Sequence, residues 1–274
     1  MDYTWNQIGF AFGLTVFAGL ATGVGSILAF MAKRTNTRFL SGALGFSAGV
    51  MIYVSMVEIF VKARDSLEAA LGSPKGYWMT TLGFFGGMLL IAVIDKFVPS
   101  FENPHEARSV EDIDPAELEE KRRAGELKRM GMFSALAIAI HNFPEGLATF
   151  AGALKDPTLG VSIAVAIAIH NVPEGIAVSV PLYYATGSRK KAFIYSFLSG
   201  LAEPVGAVVG FFLLRTIFND AVFGVVFAGV AGIMVFISLD ELLPTAEKYG
   251  EHHIAMYGVA AGMAVMAISL LLFA

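Results

Sequence analysis

Cysteine is absent from all 274 residues. That excludes disulfides and thiolate ligands, so a metal bound by this chain would need histidine, carboxylate, amide or backbone oxygen. Charge is scarce: Asp, Glu, Lys and Arg make up 15% of the chain, against 56% hydrophobic residues. Soluble domains hold roughly 45–50% apolar residues, and a mean hydropathy of +0.67 excludes that class. The chain reads as an integral membrane protein in a lipid bilayer. Its opening residues, MDYTWNQIGF, lack the basic segment of a secretory signal, so the first apolar stretch is expected to remain as a span. No GxxxxGK(S/T) loop is present, which argues against nucleotide hydrolysis. No HExxH motif is present either, which argues against a zinc protease. The formal net charge is −4, and no nucleic-acid partner is expected.

About 20 apolar residues cross the roughly 30 Å of a bilayer's hydrocarbon. Such segments recur eight times, near 6–31, 39–61, 77–98, 130–153, 158–183, 190–214, 220–243 and 254–273. The expected fold is an all-α membrane protein of eight transmembrane helices, a single domain over 1–274. Fourteen Lys and Arg residues fall in the loops after spans 1, 3, 5 and 7, and five in the remaining loops. Basic loops stay in the cytoplasm, so both termini are predicted outside. The one long polar stretch, 99–129, carries eight acidic residues from Glu102 to Glu120 and then Lys121, Arg122 and Arg123. It reads as a cytoplasmic loop between spans 3 and 4, part helix and part disordered. Glycines four apart, such as Gly19 and Gly23 or Gly258 and Gly262, predict close helix packing within the chain.

The most informative feature is a duplication. Residues 137–148 read AIAIHNFPEGLA and residues 166–177 read AIAIHNVPEGIA, ten identities in twelve at an offset of 29. Ionisable groups at bilayer depth cost roughly 2.5–3.5 kcal/mol each on insertion scales, so a duplicated set points to a site. His141 and Glu145 stand four apart in span 4, as do His170 and Glu174 in span 5, so each pair shares a helix face about 5.4 Å apart. Only a short Lys155-Asp156-Pro157 turn joins the two spans, so both faces should meet near the midplane. Pro144 and Pro173 are expected to kink the helices and free a backbone carbonyl beside each histidine. Gly146 and Gly175 keep the opposite wall thin. A third deep acid, Glu203, precedes Pro204 in span 6. Asn142 and Asn171 project about 100° from the histidines, suiting a neighbouring position that shares the glutamates. Mixed imidazole and carboxylate donors fit zinc, iron, manganese or cobalt better than calcium or magnesium.

These residues resemble the ZIP (Zrt/Irt-like) family of divalent-metal transporters, most nearly its bacterial zinc-uptake branch. The resemblance covers the whole chain. It implies import of zinc, with iron, manganese, cobalt and cadmium as further cargo, across the bacterial plasma (inner) membrane. It also implies that His141, Glu145, His170 and Glu174 form one metal position. Asn142, Glu145, Asn171, Glu174 and Glu203 would form a second, bridged by the glutamates. Spans 1–3 and 6–8 would be an inverted repeat around spans 4 and 5, usually in a homodimer, with no cofactor besides the transported ion. The family's histidine-rich cytoplasmic loop is missing, because 99–129 holds only His105.

The competing reading is a membrane-embedded di-metal enzyme, which would normally use Glu-x-x-His pairs. The only such spacing, Glu102 to His105, lies in the polar loop. A channel is the third reading. Glu58, Asp240 and Glu241 stand near span ends, where lining a pore mouth and snorkelling to the interface are both open. His252 and His253 read as a solvated turn.

Overall fold

In lipid every backbone N–H must be satisfied by the protein itself, which leaves helices and closed barrels, and apolar stretches of about 20 residues suit the helix. The computed structural model describes residues 3–31, 37–97, 126–214, 219–249 and 252–273, and contains no strand among them. The helices are α1 (Trp5–Met31), α2 (Thr37–Val54), α3 (Phe60–Leu71), α4 (Lys75–Phe97), α5 (Glu126–Lys155) and α6 (Pro157–Thr186). After them come α7 (Arg189–Gly200), α8 (Ala202–Leu214), α9 (Asp220–Ile237), α10 (Leu243–Tyr249) and α11 (His252–Phe273). A π-helical turn over Ser55–Ile59 joins α2 to α3, and a second over Ser238–Leu242 joins α9 to α10. Seven of the resulting stretches are long and apolar enough to cross a membrane. α5 is a further helix of 30 residues, about 45 Å long.

Local chemistry sets the joints. Asp156 is the N-cap of α6, its side chain accepting from the Thr158 N–H at 2.8 Å, and Pro157 fills the first turn where its missing N–H costs nothing. Gly187 ends α6 in the left-handed region at φ 62°. Ser188 and Asn219 then cap α7 and α9.

The second span continues past its expected end at 61 as far as Leu71. Residues 60–71 are amphipathic, with Ala63, Ser66 and Leu67 buried, so Lys62 and Arg64 ride on a helix instead of in a loop. The prolines leave the helix uninterrupted in two places and not in a third. α5 and α6 run unbroken through Pro144 and Pro173, because one lost N–H does not interrupt the ladder on either side. The discontinuity falls in the sixth span, at Leu201 between α7 and α8. There Pro204 removes the N–H that would meet the Gly200 carbonyl. Most of the acidic loop, 98–125, lies outside the described residues, as do Gly250 and Glu251.

The helices pack as two groups. α1 lies along α6, and α5 lies along α8 and α6. In the second group α2 lies along α11, and α9 along α4 and α3. The two groups meet chiefly where α2 crosses α6. Glycine permits these approaches: a Cβ on Gly49 would collide with the Val259 carbonyl, and one on Gly232 with the Phe84 carbonyl. Apolar side chains also face outward, as in the stripe of Trp78, Leu82, Phe85 and Leu89 along α4. That pattern suits a lipid solvent.

Candidate metal centre

The duplicated motifs sit on the two longest helices, α5 and α6, which are joined by the capped Asp156 turn and packed against each other. Their register brings Glu145, His170 and Glu174 together. One ligand atom from each lies within 4.8 Å of the others, and all three residues are buried. Asn142, Asn171 and Glu203 are buried as well. His141 occupies α5 one turn before Glu145, and its side chain lies outside the described residues.

Hydrogen bonding defines how the imidazole is presented. His170 Nδ1 stands 3.1 Å from the Ala166 carbonyl oxygen. A carbonyl only accepts, so Nδ1 carries the hydrogen and donates it. The other nitrogen, Nε2, faces Glu145 at 3.2 Å from Oε1 and 3.3 Å from Oε2. With Nδ1 protonated, a neutral ring turns the Nε2 lone pair toward a carboxylate that also only accepts when ionised. Something positive must lie between two such acceptors, either a proton or a metal cation. A ligating histidine whose second nitrogen donates to a backbone carbonyl is the usual arrangement at metal sites.

The asparagines tie this centre to the flanking helices. Asn142 donates through Nδ2 to the Ser199 carbonyl at 3.2 Å. Asn171 donates to the Ala18 carbonyl at 2.9 Å and to Glu203 Oε1 at 2.5 Å. The carboxamide oxygens of Asn142 and Asn171 and the Glu203 Oε2 atom are buried and accept no hydrogen bond from any described residue. They are buried oxygens with unused acceptor capacity. Gly146 and Gly175 make this convergence possible, since a Cβ on either would collide with the Glu203 or Thr22 carbonyl. The partner carbonyls of Ala18 and Ser199 carry no sequence signal, as any residue supplies one.

Outside the centre, Glu58 lies in the first π turn, 3.9 Å from Lys62, and Asp240 and Glu241 lie in the second. His252 begins α11 and bonds Glu247 at 2.7 Å. His252 and His253 are exposed as expected, but they lie in the first turn of α11 and not in a loop turn.

Helices of membrane length around a buried imidazole and carboxylate cluster define a multi-pass membrane protein with a candidate cation site. Residues 98–270 match the family described as ZIP Zinc transporter, and the chain belongs to that family. It is a transporter and not an enzyme, which overturns the di-metal enzyme reading. Its similarity to individual members is close. It is 67% identical over 262 residues to the zinc transporter ZupT of Lysinibacillus sphaericus, an alignment covering 96% of this chain and 97% of that one. It is 66% identical over 264 residues to the zinc transporter ZupT of Oceanobacillus iheyensis, covering 96% and 98%. For the zinc transporter ZupT of Chlorobaculum parvum the identity is 65% over 268 residues, covering 98% and 99%.

Proposed function

We propose that this chain carries zinc into the cytoplasm across the plasma (inner) membrane, using the α5 and α6 motifs as its metal site. The observation that carries this reading is the buried convergence of Glu145, His170 and Glu174 within 4.8 Å. In this reading His141, Glu145, His170 and Glu174 hold one ion. Asn142, Asn171 and Glu203 share the glutamates with a second. Three carboxylates then nearly balance one divalent cation and are slightly overbalanced by two. Zinc comes first because the relatives carry its name, and the same nitrogen and oxygen donors also fit iron, manganese, cobalt and cadmium. Direction, homodimeric assembly and a single domain over 1–274 follow the family resemblance. Both termini outside, and 99–129 in the cytoplasm, follow the bias of basic residues.

An inverted repeat of spans 1–3 and 6–8 is part of the proposal, and paired contacts support it. α1 on α6 is matched by α8 on α5, and α2 on α11 by α9 on α4. The SMVEI and SLDEL segments both form π turns at the matching joints. Gly25 meets the Val172 carbonyl as Gly206 meets the Phe143 carbonyl.

Uptake of radiolabelled zinc by proteoliposomes tests the reading. The intact chain should accumulate zinc saturably, and Glu145→Ala and Glu174→Ala should lower uptake at least about tenfold, the scale of lost metal-site support. Wild-type rates in both variants would reject the site.

A further inference from the structure

Four pairs of residues in the first and sixth spans play matching parts, each pair separated by 181 positions. Ala18 and Ser199 offer carbonyls to Asn171 and Asn142. Gly19 and Gly200 face each other, a Cβ on either colliding with the other's carbonyl or lying against it. Gly25 and Gly206 meet the Val172 and Phe143 carbonyls. The fourth pair is Thr22 and Glu203, whose carbonyls meet Gly175 and Gly146. Thr22 therefore occupies in α1 the place that Glu203 occupies in α8.

Their side chains differ in what they reach. Glu203 spans the gap to Asn171 and accepts its N–H at 2.5 Å. A threonine hydroxyl ends two bonds sooner than a glutamate carboxylate. Thr22 is fully buried, and its Oγ1 has no hydrogen-bond partner among the described residues. Buried helical hydroxyls ordinarily donate to the carbonyl four residues back. Thr15 does so to Ala11 at 3.0 Å, Thr80 to Gly76 at 2.9 Å and Thr149 to Glu145 at 3.0 Å. For Thr22 that carbonyl is Ala18, which already receives Asn171. Thr22 packs against Gly200, its Cβ 3.0 Å and its Oγ1 3.1 Å from where a Cβ would stand there. Gly200 adjoins Ser199, the anchor of Asn142, whose carboxamide oxygen also accepts nothing from the described residues. A buried unsatisfied polar group calls for an explanation such as a water or an ion.

We propose that Thr22 is the α1 member of the metal site, its hydroxyl oxygen and the Asn142 carboxamide oxygen together supplying a neutral-oxygen position for the transported ion opposite Glu203 and Asn171. This rests on the proposed site at Glu145, His170 and Glu174. A hydroxyl in place of a fourth carboxylate leaves the site less negative than its mirror half would make it. Transport needs binding weak enough for the ion to leave.

Calorimetric zinc binding to the full-length protein in detergent, with melting of the metal-free protein measured in parallel, tests the assignment. Thr22→Val keeps the shape and removes the oxygen, and Thr22→Ser keeps the oxygen. Thr22→Val should weaken zinc binding about tenfold while the metal-free protein melts at or above the wild-type temperature, since an unsatisfied buried hydroxyl has been removed. Thr22→Ser should stay within about twofold of wild type, well inside the tenfold effect of a lost ligand. Wild-type zinc affinity in Thr22→Val overturns the proposal, as does equal weakening in Thr22→Ser. Glu145→Ala in the same series separates the two readings. Loss of zinc in Glu145→Ala with no effect of Thr22→Val rejects Thr22 alone, whereas unchanged binding in Glu145→Ala rejects the site beneath it.

Discussion

His170 and Glu145 face each other across the α5–α6 interface with Nε2 3.2 Å from Oε1, both side chains buried, while the Ala166 carbonyl holds the other ring nitrogen at 3.1 Å. Two acceptors so placed are stable only around a positive charge. The proposed cargo supplies one, and a proton supplies the alternative.

Competition between the two gives a pH dependence. Imidazole and carboxylate ligands bind metal in their deprotonated forms, so zinc binding releases protons and acid opposes it. Ordinary histidine titrates near pH 6.5 and glutamate near 4.3, so zinc affinity should fall as pH drops from about 7 to 5. Calorimetry checks this, and an affinity flat across that range would contradict it.

Close backbone approach behind the motifs predicts a steric effect. Gly146→Ala and Gly175→Ala each drive a methyl into the carbonyl of Glu203 or Thr22. Each should destabilise the protein by about 1–3 kcal/mol, as overpacking does. A thermal melt in detergent with no shift for either variant would show that the helices do not meet as described.

Asn171 holds two acceptors at once, the Ala18 carbonyl and Glu203. Asn171→Ala should cost about 1–3 kcal/mol by leaving them buried without a donor. It should also weaken zinc binding by loosening Glu203. A variant that melts and binds like wild type would place Asn171 outside the site.

Away from the centre, Lys155 at the end of α5 bonds Ser66 at 3.1 Å and pairs with Asp220. Both members of the ion pair are part-exposed, and such pairs contribute about 0–1 kcal/mol. Lys155→Met should therefore shift melting little and leave zinc affinity unchanged. A loss of zinc binding would show that this corner communicates with the centre.

Much of the fold was legible because hydropathy and length constrain membrane helices strongly. The second span's extra turns from Lys62 to Leu71 were not, because KARDSLEAAL is amphipathic and too polar to register as part of a span. The place of the helix break was hidden for a related reason. Sequence locates a missing N–H but not whether the helix continues past it, and here α5 and α6 continue through Pro144 and Pro173 while the break falls before Pro204.

The candidate site was legible through repetition. His170, Glu174 and Glu145 were marked by two segments identical at ten of twelve positions, and helical spacing placed each pair on one face. Thr22 was invisible by the same logic, because a threonine in an apolar helix carries no signal until the contacts of Gly25 and Gly206 align it with Glu203. The carbonyls of Ala18 and Ser199 belong to the same class of hidden partner.

Zinc K-edge X-ray absorption on the zinc-loaded protein addresses the central arrangement most directly. The wild type should show imidazole nitrogen and carboxylate oxygen around the metal, and His170→Ala should lose imidazole scattering together with bound zinc. An unchanged spectrum at unchanged zinc content in His170→Ala would place the ion somewhere other than between α5 and α6.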